Sequence, residues 1–209
     1  MIAGLNMLVF VAWMVPSLQS TMMKWFTSNP AGSATCLPML LATFSHYNIF
    51  HLVFNMVGLH SFMGTAVHEL GKEQFLGMYL SAGVFSSLGS MVYRVASEAP
   101  DSHSLGASGA IMTVQAVFTI NHPDATLHII FLPMVTFTAA TGLKALVTFD
   151  TLGLLLRWRM FDHAAHLAGV GFGAFWCYLG NSLLWVGLGE QVVTVWHNAK
   201  EGDSKWYEL

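Results

Sequence analysis

Charge is what this chain has least of. Only 8 Lys and Arg and 11 Asp and Glu occur in 209 residues, 9% charged against about 25% in an average soluble domain. So little charge excludes a single water-solvated globule. The net charge of −3, with no basic run anywhere, excludes nucleic acid as a partner. Cysteine is almost missing too: Cys36 and Cys177 stand far apart without metal-ligand spacing, which excludes a disulfide framework. The N-terminus lacks the basic region and small-residue cleavage site of a secretory signal and the arginines of a transit peptide. It opens directly into Ile2–Val15, apolar but short for a span of about 20 residues. The expectation is a shortened chain with sequence upstream. Internal repeats and low-complexity tracts are absent as well, and one domain over residues 1–209 accounts for the whole sequence.

What remains is apolar. The chain is 55% hydrophobic with a mean hydropathy of +0.57, the composition of an all-α polytopic membrane bundle. Six apolar segments can be drawn: Ile2–Val15, Ile49–Val67, Phe75–Val95, Leu105–Ile120, Val135–Leu156 and His163–Leu188. An apolar loop, Ile129–Pro133, precedes the fifth. Basic residues are too few to orient the bundle by the positive-inside rule.

Hydrocarbon offers a hydroxyl or imidazole nothing to bond, so polar groups at membrane depth mark function by default. Gly106-Ala107-Ser108-Gly109 begins the fourth segment. A serine at a helix start lies beside unpaired backbone N–H groups, which suit a developing oxyanion. The flanking Gly106 and Gly109 admit close approach of another backbone. Ordinary small-residue helix packing explains the same motif.

The sixth segment carries Asp162-His163-Ala164-Ala165-His166-Leu167-Ala168-Gly169 and then Gly173. On a helix His166, Gly169 and Gly173 share one face, and small residues there let a neighbour come near the imidazole. His166 could take a serine proton and return it to a leaving amine; a buried histidine bonded to a carbonyl is the structural alternative. Asp162, one turn earlier, is expected to be an N-cap rather than a triad member: a Ser108–His166 dyad suffices where burial already restrains the imidazole, so that Asp162→Asn retains activity. His163 is expected at the water boundary. Lys144 and Asp150, in the fifth segment, are too far apart in helical register to face each other and are left to interhelix pairing or the boundary.

The third constellation is His46-Tyr47-Asn48-Ile49-Phe50-His51-Leu52-Val53-Phe54-Asn55. His51 and Asn55 are stacked on one helical face, two donors of the kind an oxyanion hole needs. His46 is expected to steady the preceding loop. No cysteine or carboxylate supports these histidines as a zinc site, and neither a metal nor another cofactor is implied.

Taken together and in this order, His46, His51 and Asn55, then Gly106, Ser108 and Gly109, then Ala165, His166 and Gly169 resemble the rhomboid intramembrane serine proteases. Phe26–Pro30, Pro38–Leu41, Phe44–His46, Leu105–Thr113, Ile130–Met134 and Phe161–His166 resemble the family's mitochondrial branch. The resemblance implies a six-helix rhomboid-like core, an added N-terminal helix not visible here, and residence in the mitochondrial inner membrane. It implies single-span membrane proteins as substrates, Ser108 as nucleophile and His166 as base. His51, Asn55 and the Ser108 backbone N–H would hold the oxyanion, beside Gly106. Met112 stands where bacterial members often place an aromatic against the base, and Leu37-Pro38 where they carry a Trp-Arg pair. Two other classes fit the composition: a silent relative that binds transmembrane clients, and a small-solute transporter. The second lacks the paired half-repeats usual in transporters.

Overall fold

The computed structural model describes residues 1–99, 102–129 and 132–200. Residues 100–101, two residues of the expected loop (130–131) and residues 201–209 lie outside the described residues. In chain order the elements are α1 (Ile2–Trp13), α2 (Gln19–Trp25), α3 (Cys36–Leu41), α4 (Ile49–Leu70), α5 (Lys72–Ala96) and α6 (Ser108–Asn121). A hairpin of β1 (Thr126–Ile129) and β2 (Leu132–Thr138) follows. Then come α7 (Ala139–Leu155), α8 (His163–Phe175), a π-type continuation over Trp176–Gly189, and α9 (Glu190–Lys200).

Caps set these boundaries. Asn48 Oδ1 accepts the His51 backbone N–H at 2.9 Å to start α4, and Asp162 Oδ1 accepts that of Ala165 at 3.0 Å to start α8. Gly71, at φ +79°, stops α4 and turns the chain directly into α5. Thr138 caps α7, so the fifth helix begins at Ala139 rather than Val135. Residues 132–138 pair instead as a strand with 126–129. The β-branched and aromatic run Val135-Thr136-Phe137-Thr138 favours extended backbone over helix, which an apolarity count does not detect.

Among the described residues, α4, α5 and the continuous helix from His163 to Lys200 are long and apolar enough to cross a membrane. The helix pair 2–13 and 16–25, bent by 98° around Pro16, would make a fourth. With 14 residues, α6 is about 21 Å long, short of a hydrocarbon core of about 30 Å. It is nonetheless the most enclosed helix: Ala110, Val114 and Ala116 are at most 1% exposed. Tyr79, Met78 and Leu59 from α5 and α4 complete the core around it. The protein is a helical, polytopic membrane bundle.

Candidate active site

Four pieces of backbone meet at one end of α6: its own N-terminus, the N-termini of α4 and α8, and the C-terminal half of α5. Glycine makes the meeting possible. A Cβ on Gly169 would overlap the carbonyl of Gly109, and one on Gly173 would stand 2.9 Å from the Thr113 carbonyl. The helices α6 and α8 therefore cross backbone to backbone, and Thr113 Oγ1 donates to the Gly169 carbonyl at 2.7 Å.

That crossing places Ser108 Oγ 2.8 Å from His166 Nε2. The other ring nitrogen, Nδ1, lies 3.0 Å from Asp150 Oδ1. A carboxylate only accepts, so Nδ1 carries the hydrogen and Nε2 is free to accept from the serine. Small-residue packing and a polar pair are here one arrangement, since the first brings the second within reach. The ring that leans on His166 belongs to Phe161, with centroids 6.4 Å apart.

The segment leading to Ser108 is tied on both sides. Ser28 and Ser104 form an antiparallel bridge, with N–H to O distances of 2.7 and 2.9 Å, and the Gly106 N–H donates to the Ala42 carbonyl at 2.9 Å. Gly106 sits at φ +135°, a conformation that only glycine adopts without strain. A side chain there would also meet His51, whose Nε2 lies 3.0 Å from the Cβ position. His51 Nδ1 accepts from the Tyr47 backbone N–H at 3.4 Å, which leaves the hydrogen on Nε2, the nitrogen lying over Gly106.

Asn55, 8% exposed, is one turn further along α4. Its Nδ2 donates to the His51 carbonyl at 2.8 Å, leaving a second amide hydrogen. His46 is fully buried and meets His51 edge to face at 4.9 Å. Burial and the neighbouring His51 bring its pKa down to about 3, against a smaller opposing effect of the Phe44 backbone, so it is neutral. Gly109 lies where a side chain would strike Ser86.

One expectation needs correction. His163 is not at the water boundary; it is 3% exposed and its Nδ1 donates to Asp150 Oδ1 at 2.6 Å. Asp150 is 1% exposed and stands between the two histidines. Asp162, besides capping α8, accepts from Ser90 Oγ at 2.5 Å, from Arg94 Nη2 at 3.0 Å and from Ser104 Oγ. It pins α5 and the segment before Ser108 to α8, and its bonds go to these groups rather than to Ser108 or His166. A narrow recess lined by Ser86, Ser87, Ser104, Ser108 and Asp162 opens beside the serine, with room for about one water molecule. Among the described residues no group of three or more His, Cys, Asp or Glu side chains is placed to hold a metal ion.

A family model for the rhomboid domain matches residues 33–183, the stretch that holds His46, His51, Asn55, Gly106, Ser108, Asp150 and His166. The chain belongs to the rhomboid family. The human Presenilin-associated rhomboid-like protein, mitochondrial, is 50% identical over 204 residues, covering 98% of this chain and 53% of the human one. The Danio rerio Presenilin-associated rhomboid-like protein A, mitochondrial, is 46% identical over 199 residues, 95% of this chain and 51% of its own. Rhomboid protein 1, mitochondrial, of Saccharomyces cerevisiae is 32% identical over 174 residues, with coverages of 83% and 50%. The chain spans about half the length of these curated relatives. With such relatives and several helices able to cross a bilayer, this rhomboid is a mitochondrial membrane protein.

Reasoning from sequence left Asp150 to interhelix pairing or the boundary and His163 to the water boundary, and placed neither beside the site. The signal was present: a lone aspartate inside an apolar helix, which hydrocarbon tolerates only when it is paired.

Proposed function

We propose that this rhomboid is a serine endopeptidase that cleaves single-span membrane proteins within or beside their transmembrane helix, in the mitochondrial inner membrane. One observation carries the reading: a serine hydroxyl at a helix start, 2.8 Å from the Nε2 of a histidine whose Nδ1 is already occupied. That is a nucleophile paired with a base in the tautomer it needs.

Ser108 Oγ attacks the peptide carbonyl as its proton passes to His166 Nε2. The oxyanion that forms takes hydrogen bonds from the Ser108 N–H, His51 Nε2–H and the Asn55 amide, with Gly106 leaving room for them. Collapse breaks the C–N bond, His166 hands its proton to the leaving amine, and an ester remains on Ser108. Water then attacks the ester, again deprotonated by His166, and the serine is released. The recess between Ser86, Ser87 and Asp162 supports the reading by offering a water path to Ser108. Burial of α6 sets a demand on the substrate: a helical amide is shielded by its own hydrogen bonds, so helix-breaking residues are expected near the cleaved bond. The family and the names of the relatives support the substrate class and the compartment.

The test is cleavage of a single-span substrate by the purified protein in liposomes. Ser108→Ala and His166→Ala each abolish cleavage, by about 10⁴-fold or more. An active preparation in which neither variant does so would refute the reading.

A further inference from the structure

The hairpin between α6 and α7 is rooted at a membrane boundary. At its base the Ala139 N–H donates to the Ala125 carbonyl at 2.8 Å and the Ala140 N–H to the Pro123 carbonyl at 3.0 Å. The end of α6 reaches across to the end of α4. Asn121 Nδ2 donates to Glu69 Oε2 at 3.1 Å, and His122 Nε2 bonds to Oε1 of the same carboxylate. Glu69 belongs to the turn that also holds Lys72 and Glu73. A charged turn between α4 and α5, two helices able to cross a membrane, stands at the edge of the hydrocarbon.

The hairpin growing from this root has an apolar surface. No Asp, Glu, Lys or Arg occurs from 126 to 138. One face is already used: Leu127 and Phe137 are partners in the ladder, Leu127 packs on the core, and the Phe137 ring fills the space beside Gly142. The rest turns outward. His128 pairs with Thr136 but Ile129 with Leu132, so Pro133, Met134 and Val135 bulge from the ladder. His128 Nδ1 donates to the Pro133 carbonyl at 3.0 Å and holds the bulge in place. On it Met134 is 84% exposed and Val135 43%, with Leu132 beside them at 52%.

Two constraints fix the depth of this face. Among the described residues the sheet has only two strands, so each strand presents an outer edge of unpaired backbone groups. Hydrocarbon does not tolerate such an edge, and in water a bare apolar hairpin is scarcely stable and prone to aggregate. The headgroup layer meets both demands, bonding the backbone while the acyl chains beneath it take up the side chains. Helix lengths agree. With 14 and 17 residues, α6 and α7 are about 21 and 26 Å long. Each is short of a hydrocarbon core of about 30 Å, so neither carries the segment joining them out into bulk water.

We propose that the hairpin is an interfacial anchor, lying in the headgroup layer on the membrane face opposite Ser108, with Leu132, Met134 and Val135 dipped among phospholipid acyl chains. The recognition is apolar and needs no charged headgroup. A second copy of this chain is the competing occupant, since an open strand edge also pairs with its like.

The test uses the full chain in phosphatidylcholine liposomes, with Cys36→Ser and Cys177→Ala, and a nitrobenzoxadiazole label on Met134→Cys. A label on Ser81→Cys, exposed half-way along α5, marks the mid-membrane. Lipids with a nitroxide near the carbonyls should quench the Met134→Cys label at least about twofold more than lipids with it near the chain end, as a depth of about 5–10 Å in the interface requires. The Ser81→Cys label should show the reverse order. Added phosphatidylglycerol should leave both unchanged, because the hairpin carries no charge for it to attract. Absent quenching at Met134→Cys, the order seen at Ser81→Cys, or quenching that needs phosphatidylglycerol would overturn the anchor. Quenching lost as the protein is concentrated in the bilayer would assign the face to a second copy instead. Should the cysteine-free chain not fold, benzoylphenylalanine in place of Met134 in the otherwise native chain decides. Illumination should give a phospholipid adduct by intact mass; a crosslinked dimer, or no adduct, would overturn the proposal.

Discussion

Gly169 of α8 rests against Gly109 of α6 with no side chain between them, and the Thr113 hydroxyl locks the crossing. This contact sets the distance between Ser108 and His166, since each lies within one turn of it. Substituting Gly169 by Ala drives a methyl group into the Gly109 carbonyl. The helices must separate, at a cost of about 1–3 kcal/mol. We expect a lower Tm together with a fall in kcat of tenfold or more, roughly the cost of an ångström of misplacement. Wild-type activity at a lowered Tm would show that the crossing does not set the geometry.

Gly106 meets two demands at once, a left-handed backbone and a place for the His51 ring. Gly106→Ala carries a strain of order 1–3 kcal/mol and displaces His51. Its kcat falls more than its stability accounts for, as measured by turnover beside thermal unfolding. Equal Tm and equal kcat would remove both demands.

Asp162→Asn separates the two aspartates near the base. Asp162 caps α8 and binds Arg94, Ser90 and Ser104, so the variant loses about 1–3 kcal/mol of stability. Its turnover stays within about tenfold of wild type. A loss as deep as that of Ser108→Ala would transfer a role in the chemistry to Asp162.

His46 gives a pH dependence of stability. Its folded pKa is depressed to about 3 from an ordinary 6.5, so between those values the unfolded chain binds the proton and the folded one does not. Stability from this group is whole above pH 6.5 and is lost as pH falls towards 3. Thermal unfolding in detergent across that window should show a shallower slope for His46→Gln than for wild type. Parallel curves would mean that His46 does not titrate on unfolding.

The sequence made the helical spans and the serine, histidine and asparagine constellations legible because each is local. His51 and Asn55 need only helical register, and the Gly169 and Gly173 face follows from spacing. The start of α7 was misplaced, since apolarity does not distinguish the strand Leu132–Thr138 from the helix after it. The Asp150–His163 pair was not legible for a different reason. It joins α7 to α8 across a loop, and its enclosure depends on Gly153, Trp158 and Phe161, three positions that share no periodicity. The ring against the base illustrates the same limit: Met112 drew attention by its register, whereas Phe161 reaches His166 from a loop.

The central claim is that Ser108 is a nucleophile activated by His166. Its most direct test is the intact mass and peptide map of the protein after exposure to a fluorophosphonate in liposomes. The account predicts one phosphonyl adduct, on Ser108, lost in Ser108→Ala and formed at least about a hundredfold more slowly in His166→Ala. An unmodified Ser108 in a folded preparation that still cleaves its substrate, or labelling undiminished in His166→Ala, would contradict it.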